Sequence, residues 1–211
     1  MDIRLTNTGK RFNREWIFRG MDYHFKQGNS YAITGANGSG KSTLLQVIAG
    51  ALMHSEGTID FTDNNKTIDA AIAYKNISIA APYLELIEEM TAIEFLSFHI
   101  SFKKLMKPVD EILQEVNLQS AANKQIRYFS SGMKQRLKLA QAFFSDTSVL
   151  LLDEPTTNLD EAGIQLYKSL IAAYTKERLV IVCSNDKNEY EFCGEVIKID
   201  KNAPSIPQGG N

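Results

Sequence analysis

Gly35, Gly38 and Gly40, with Lys41, Ser42 and Thr43 at the end of the same stretch, carry the densest chemistry in this sequence. With Ala36, Asn37 and Ser39 between them they fit the spacing G-x-x-x-x-G-K-[ST], and the strand-like Tyr31–Thr34 precedes them. A chain of phosphates packs several negative oxygens into a small volume, so it needs many donors aimed at one point. Glycines let the backbone curl until successive N–H groups, those of Asn37 and Ser39 included, converge on such an anion. A helix predicted over Lys41–Ala51 adds its free N–H groups and the positive end of its dipole. Lys41 can reach the outer phosphates, and Ser42 can give its hydroxyl to Mg²⁺.

A triphosphate site needs an acidic element on its other side. Ser148–Glu154 supplies one: the apolar run Val149–Leu152 reads as a strand buried on both faces, ending in Asp153 and Glu154. Asp153, at the carboxyl end where ligands meet open α/β sheets, is assigned to Mg²⁺, and Glu154 to polarising the attacking water. Between the two elements, Ser130, Ser131 and Gly132 open a helix whose apolar face runs Met133, Leu137, Ala140, Phe144. A helix start of small residues is a second anion cradle. One triphosphate does not need two cradles, whereas two copies facing each other would use both. An ordinary serine N-cap is the alternative reading.

These segments together resemble the ATP-binding subunit of ABC transporters over nearly the whole chain. Gly35–Thr43 matches that family's Walker A. Phe129–Met133, followed by Lys134, Gln135 and Arg136, is similar to its signature motif. Val149–Glu154 resembles Walker B with the adjoining catalytic glutamate, and Pro155–Asp160 resembles the approach to the D-loop. The resemblance implies ATP and Mg²⁺ as cofactors, with Lys41 and Glu154 catalytic. It implies a second ATPase subunit whose Ser130, Ser131 and Gly132 close the site, and a separate integral-membrane permease. The chain would then sit peripherally on the cytoplasmic face of the cell membrane. Phe12 stands where the family has an aromatic stacked on adenine, with Trp16 as a nearby competitor.

The sequence departs from the family pattern in three places. Ala80, Ala81 and Pro82 occupy the place of a glutamine, Asn185 that of the switch histidine, and Ser131 that of the signature's first glycine. Asn185 can hydrogen-bond a γ-phosphate but cannot carry a positive charge. Slow hydrolysis is therefore expected. The loop Pro82–Met90, where the family meets its permease, displays Glu85, Glu88 and Glu89; it either receives a basic cytoplasmic helix or is a solvated acidic loop. A soluble ABC-type ATPase without a transport role and a weakly hydrolysing partner in a heterodimeric transporter remain the competing functions.

Alternating helices and strands give a three-layer α/β core, and the resemblance implies a P-loop NTPase core with an antiparallel β subdomain and an inserted helical subdomain. Residues 1–34 read as short strands, with Met21, Tyr23 and Phe25 alternating against Asp22, His24 and Lys26. Further strands are expected over 57–79 around Asp63–Asn65. Thr91 and Glu94 have capping-box spacing, and Pro108 opens another helix. Core strands resume at Val149–Asp153, Leu179–Cys183 and Glu195–Asp200, with a helix presenting Ile164, Tyr167, Ile171 and Tyr174 to the sheet. The expected division of this single ATPase domain is a core of 1–86 and 145–200, a helical subdomain of 87–144 and a loose tail of 201–211.

Bulk properties narrow the function classes. A net charge of −2 over 211 residues argues against a nucleic-acid partner. No apolar run approaches the roughly 18–20 residues needed to span a bilayer, and the amino terminus has no signal-peptide shape. Two cysteines, Cys183 and Cys193, suit a reducing compartment better than a disulfide framework.

Overall fold

Val149–Leu152 and Leu179–Val182 are apolar at every position, a pattern suited to strands covered on both faces. The computed structural model, which describes residues 1–199, places both at the centre of a parallel sheet. In chain order the elements begin β1 (Asp2–Phe12), β2 (Glu15–Phe25), β3 (Ser30–Thr34), α1 (Lys41–Ile48), β4 (Glu56–Asp63), β5 (Lys66–Ile68), α2 (Ala70–Ala73) and β6 (Ile77–Ala80). They continue α3 (Ala92–Ile100), α4 (Val109–Glu115), α5 (Ser131–Phe144), β7 (Val149–Asp153), α6 (Glu161–Tyr174), β8 (Leu179–Cys183), α7 (Lys187–Tyr190) and β9 (Glu195–Lys198).

The parallel sheet runs β6-β7-β8-β3-β9, and a second, antiparallel sheet runs β2-β1-β4-β5. Strand alternation decides which layer each side chain joins. Leu150, Leu152, Val180 and Val182 pack with α3, α4, α5 and α6. Val149, Leu151, Leu179, Ile181 and Cys183 pack on the other face with α1 and with Ile3, Leu5, Phe25 and Phe61 of the antiparallel sheet. Each fully buried side chain of this size contributes about 1.5–3 kcal/mol, so the central strands tie both cores together.

Local sequence sets the element ends. Gly50, at φ +74, stops α1 at Ile48 rather than Ala51: the Gly50 N–H reaches the Val47 carbonyl and the Ala51 N–H reaches that of Gln46, a Schellman closure. Thr91 and Glu94 form the capping box of α3, each side chain bonded to the other's backbone N–H. Pro108 is the N-cap of α4 rather than its first residue. On α6 the buried residues are Gly163, Tyr167, Leu170 and Ile171, while Ile164 and Tyr174 are half-buried.

The expectation of short strands over 1–34 is corrected: β1 and β2 each run 11 residues. Register shifts between Leu5 and Thr8, with Asn7 at φ +46, break the alternation that reveals a strand. Asp200 and the expected tail, 201–211, lie outside the described residues.

At the amino ends of the central strands, buried Arg178 donates to the Phe143 carbonyl at 2.9 Å, Ser78 Oγ at 2.7 Å and Thr147 Oγ1 at 2.6 Å. Burial lowers its pKa to about 10. This network fastens β6, β7 and α5 at the end of the sheet away from the phosphate loop.

Candidate functional site

The loop between β3 and α1 is shaped by contacts that leave no room for side chains at two glycines. A Cβ on Gly35, at φ +152, would lie 2.2 Å from the Ile199 carbonyl oxygen, and one on Gly40, at φ +101, would lie 2.6 Å from Ile17 Cγ2. The Ser39 N–H bonds the Ala36 carbonyl at 3.0 Å, closing the curl. Gly40 is the N-cap of α1, no side chain caps that helix, and no acidic residue sits in its first turn. The first-turn N–H groups therefore face outward as an anion cradle. Lys41, only 6% exposed, folds back over the loop, donating to the carbonyls of Gly35 at 2.7 Å and Ala36 at 3.2 Å.

Asp153 ends β7 beside this loop. Its Oδ2 is buried and has no hydrogen-bond donor. Burial pushes its pKa up to about 6; the Ser42 hydroxyl opposes the rise, Glu154 adds to it, Lys41 opposes it and Glu189 adds to it. A carboxylate with one bare oxygen, beside a serine hydroxyl, is a hard-oxygen donor pair suited to Mg²⁺. Ser39 Oγ, also buried, lacks a partner too. Glu154 follows at φ +42, exposed, with its N–H bonded to the Cys183 carbonyl at 2.9 Å.

Asn185, after β8, joins the loop directly. Its Oδ1 accepts from the Gly35 N–H at 3.1 Å, and its Nδ2 lies 3.5 Å from Asn37 Oδ1. Asn37, Glu154, Thr156, Asn185 and Glu189 line one cleft of 390 Å³. Thr43 and Gly38 sit in the same loop-and-helix start.

Ser130, Ser131 and Gly132 do not line that cleft. Ser130 Oγ accepts from the Met133 N–H at 3.3 Å, so the serine does cap α5. Ser131 is exposed, and a Cβ on Gly132 would lie 3.2 Å from the Asn158 carbonyl. Phe12 ends β1 at 46% exposure with Lys10 Nζ 4.9 Å from its ring centre. Half-buried Trp16 has Arg19 at 4.5 Å and Arg11 at 5.5 Å over its ring. Of the two, Phe12 offers the freer ring.

Residues 18–157 match the sequence model of the family described as ABC transporter. The chain belongs to the ABC transporter family. Among its relatives is the ABC transporter ATP-binding protein YybJ of Bacillus subtilis (strain 168), 29% identical over 89% of this chain and 86% of that protein. YxlF of the same organism, another ABC transporter ATP-binding protein, is 32% identical over 92% of this chain and 65% of that one. The chain thus spans about two thirds of the length of some relatives. The fold is that of the ATP-binding cassette MJ0796, solved as a dimer bound to ADP and Pi, with a TM-score of 0.80 and 23% identity over 98% of this chain and 97% of that one.

Two site residues carry little sequence signal. Tyr83, next to the Pro82 that stands near the family's glutamine position, has its hydroxyl against Gln46 of α1; burial and then the charge of Asp153 raise its pKa. Glu189, almost fully buried, accepts from both the N–H and the hydroxyl of Thr156. It lies in a polar stretch with no periodicity, so nothing in the sequence separates it from its exposed neighbours.

The acidic loop is partly corrected. Glu88 is ion-paired to Lys134, and Glu89 lies 3.4 Å from Arg127. Lys138 donates to the carbonyls of Ala81 at 3.3 Å and Pro82 at 2.9 Å. Two of the three acids are thus balanced from within the chain, because cations on either side of the signature segment, Arg127 before it and Lys134 after it, fold against the loop. None of the described helices is long and apolar enough to cross a membrane.

Proposed function

We propose that this ABC ATPase binds ATP with Mg²⁺, pairs with a second ATPase subunit around it, and hydrolyses it to drive a solute through a separate membrane permease. One observation carries the reading: Ser42, Lys41 and Asp153, whose Oδ2 is bare, lie together beside an uncapped helix start, and Glu154, the next residue, lines the adjoining cleft with Asn37 and Asn185. The backbone N–H groups of Gly38 and of Gly40–Thr43 take the phosphates, that of Ser39 being held by the Ala36 carbonyl. Lys41 exchanges carbonyl partners for outer phosphate oxygens. Ser42 and Asp153 are the residues that would hold Mg²⁺, which would supply neutralising charge to the phosphates. Among the described residues no cluster of three or more His, Cys, Asp or Glu side chains could hold a metal. The ion would therefore be held by these two protein oxygens together with the nucleotide.

Glu154 orients the attacking water and accepts its proton. Asn185 donates its amide N–H to the γ-phosphate, supplying a dipole where a histidine could supply a charge. Loss of one such stabiliser costs about 10²–10³ in rate, so turnover is slow. Phe12 stacks on adenine. Ser130, Ser131 and Gly132, outside their own chain's cleft, close the partner subunit's nucleotide. We read 87–144 as the helical subdomain that presents them, and the whole protein as peripheral on the cytoplasmic face of the membrane. Asn185 and the absent glutamine favour a second reading, a weakly hydrolysing partner in a heterodimeric transporter.

Phosphate release from Mg²⁺-ATP by the purified chain should exceed that of Glu154→Gln, and that variant should elute as a dimer when loaded with Mg²⁺-ATP. Equal release by both proteins sinks the hydrolytic role. A loaded variant that stays monomeric with every candidate partner present sinks the shared site.

A further inference from the structure

Glu154 holds a backbone conformation, φ +42, that is costly for a residue with a Cβ. Such a geometry persists only when its surroundings over-determine it. The turn that contains it is gripped from several sides. The Glu154 N–H donates to the Cys183 carbonyl at 2.9 Å, and the Thr157 N–H returns to the Glu154 carbonyl at 3.1 Å. Gln135 of α5, itself buried, donates its side-chain N–H to the Pro155 carbonyl at 2.7 Å. Glu189 Oε1 accepts the Thr156 N–H at 2.7 Å and the Thr156 hydroxyl at 2.5 Å.

Glu189 is 3% exposed, and taking a carboxyl group out of water for a loop is expensive. Its own backbone is fixed as well, since the Tyr167 hydroxyl donates to the Glu189 carbonyl at 2.6 Å. The helix that bears it, α7, starts two residues beyond Asn185, which bonds Gly35 of the phosphate loop. Glu154, Thr156, Asn185 and Glu189 share the cleft described above.

We propose that Glu189 is a positioning residue for Glu154: by clamping Thr156 it holds the Glu154–Thr157 turn so that the Glu154 carboxylate faces the attacking water. The inference rests on the hydrolytic role proposed for Glu154. In that step the water oxygen bonds the γ-phosphorus, the bond to the β-bridging oxygen breaks, and the water proton passes to Glu154. Glu189 itself takes no proton and touches no substrate.

The test compares the full chain with Glu189→Ala, Glu189→Gln and Thr156→Val, measuring kcat, KM for ATP and affinity for a non-hydrolysable ATP analogue. Glu189→Ala should lose about 10–100-fold in kcat, since a misplaced catalytic group costs that much. KM and analogue affinity should stay within about twofold of the parent. Glu189→Gln, which keeps an acceptor oxygen, should recover most of the loss. Thr156→Val removes only the hydroxyl donor and should be intermediate, giving a readout even if Glu189→Ala does not fold. An unchanged kcat in both Glu189→Ala and Thr156→Val overturns the inference, as does analogue binding that falls in parallel with kcat, or a Gln variant as slow as the Ala variant. If the parent chain is no faster than Glu154→Gln, the hydrolytic role falls and the inference with it; failure in the other arms alone leaves that role standing.

Discussion

Asn185 accepts a hydrogen bond from the Gly35 backbone N–H at 3.1 Å, joining the end of β8 to the first residue of the phosphate loop. The residue proposed for the switch position is therefore in contact with the proposed phosphate loop through a neutral amide. Its electrostatic contribution is a dipole, and that bears on rate.

Asn185→His should raise kcat by about tenfold, because a titratable ring can offer a positive charge to the developing transition state. Asn185→Ala removes the Gly35 contact and should weaken ATP binding as well. Phosphate release and nucleotide titration on the same preparations separate the two effects. A histidine variant no faster than the parent would show that the missing charge does not limit turnover.

Lys41→Ala should weaken ATP binding by about 30-fold or more, the loss typical of removing one partner from a desolvated charge contact. The fold should survive, because Lys41 bonds only two loop carbonyls, those of Gly35 and Ala36. Titration with a fluorescent ATP analogue and a melting curve check both halves.

Asp153 gives a pH signature to the nucleotide-free protein. Burial raises its pKa from the ordinary 3.8 to about 6, so the folded chain holds the proton more tightly than the unfolded chain. The stabilising contribution of the protonated carboxyl is complete below about pH 3.8 and is lost as pH rises through about 6. Its size is about 3 kcal/mol. Asp153→Asn should be more stable than the parent above pH 6, with the advantage shrinking towards pH 4. Denaturant midpoints across that range test the sign; a constant difference at all pH values would contradict it.

If the proposed permease docks on the acidic loop, Glu85→Lys should weaken co-purification with it more than Glu89→Lys. Glu88 and Glu89 already face Lys134 and Arg127, whereas among the described residues Glu85 has the nearby charge of Lys138 and no ion pair. Glu88→Lys should also slow ATP turnover, since it opposes Lys134 on the helix that opens with Ser131. Equal retention of the permease by all three variants would remove the acidic loop from the docking surface.

Much of the architecture was legible because it rests on local rules. The continuous apolar runs of β7 and β8, the Thr91–Glu94 capping box and the Ser130 cap each depend on residues within a turn or a strand of one another. The end of α1 was misplaced because a glycine stop at Gly50 competes with an apolar pattern that runs on to Ala51. The length of β1 was hidden by the irregular register at Asn7, which interrupts a period of two.

The site divides along the same line. By itself the sequence determined the family and supplied the segments to which the phosphate and metal roles are proposed, because Gly35–Thr43 and Val149–Glu154 are each contiguous and recognisable by their spacing. The tertiary structure alone decided that Asn185 touches Gly35 across 150 residues, that Lys134 neutralises Glu88, and that Glu189 is buried against Thr156. Those relations join segments far apart in the chain. A side chain's charge state and partners depend on what folds against it, and spacing along the chain records nothing of that.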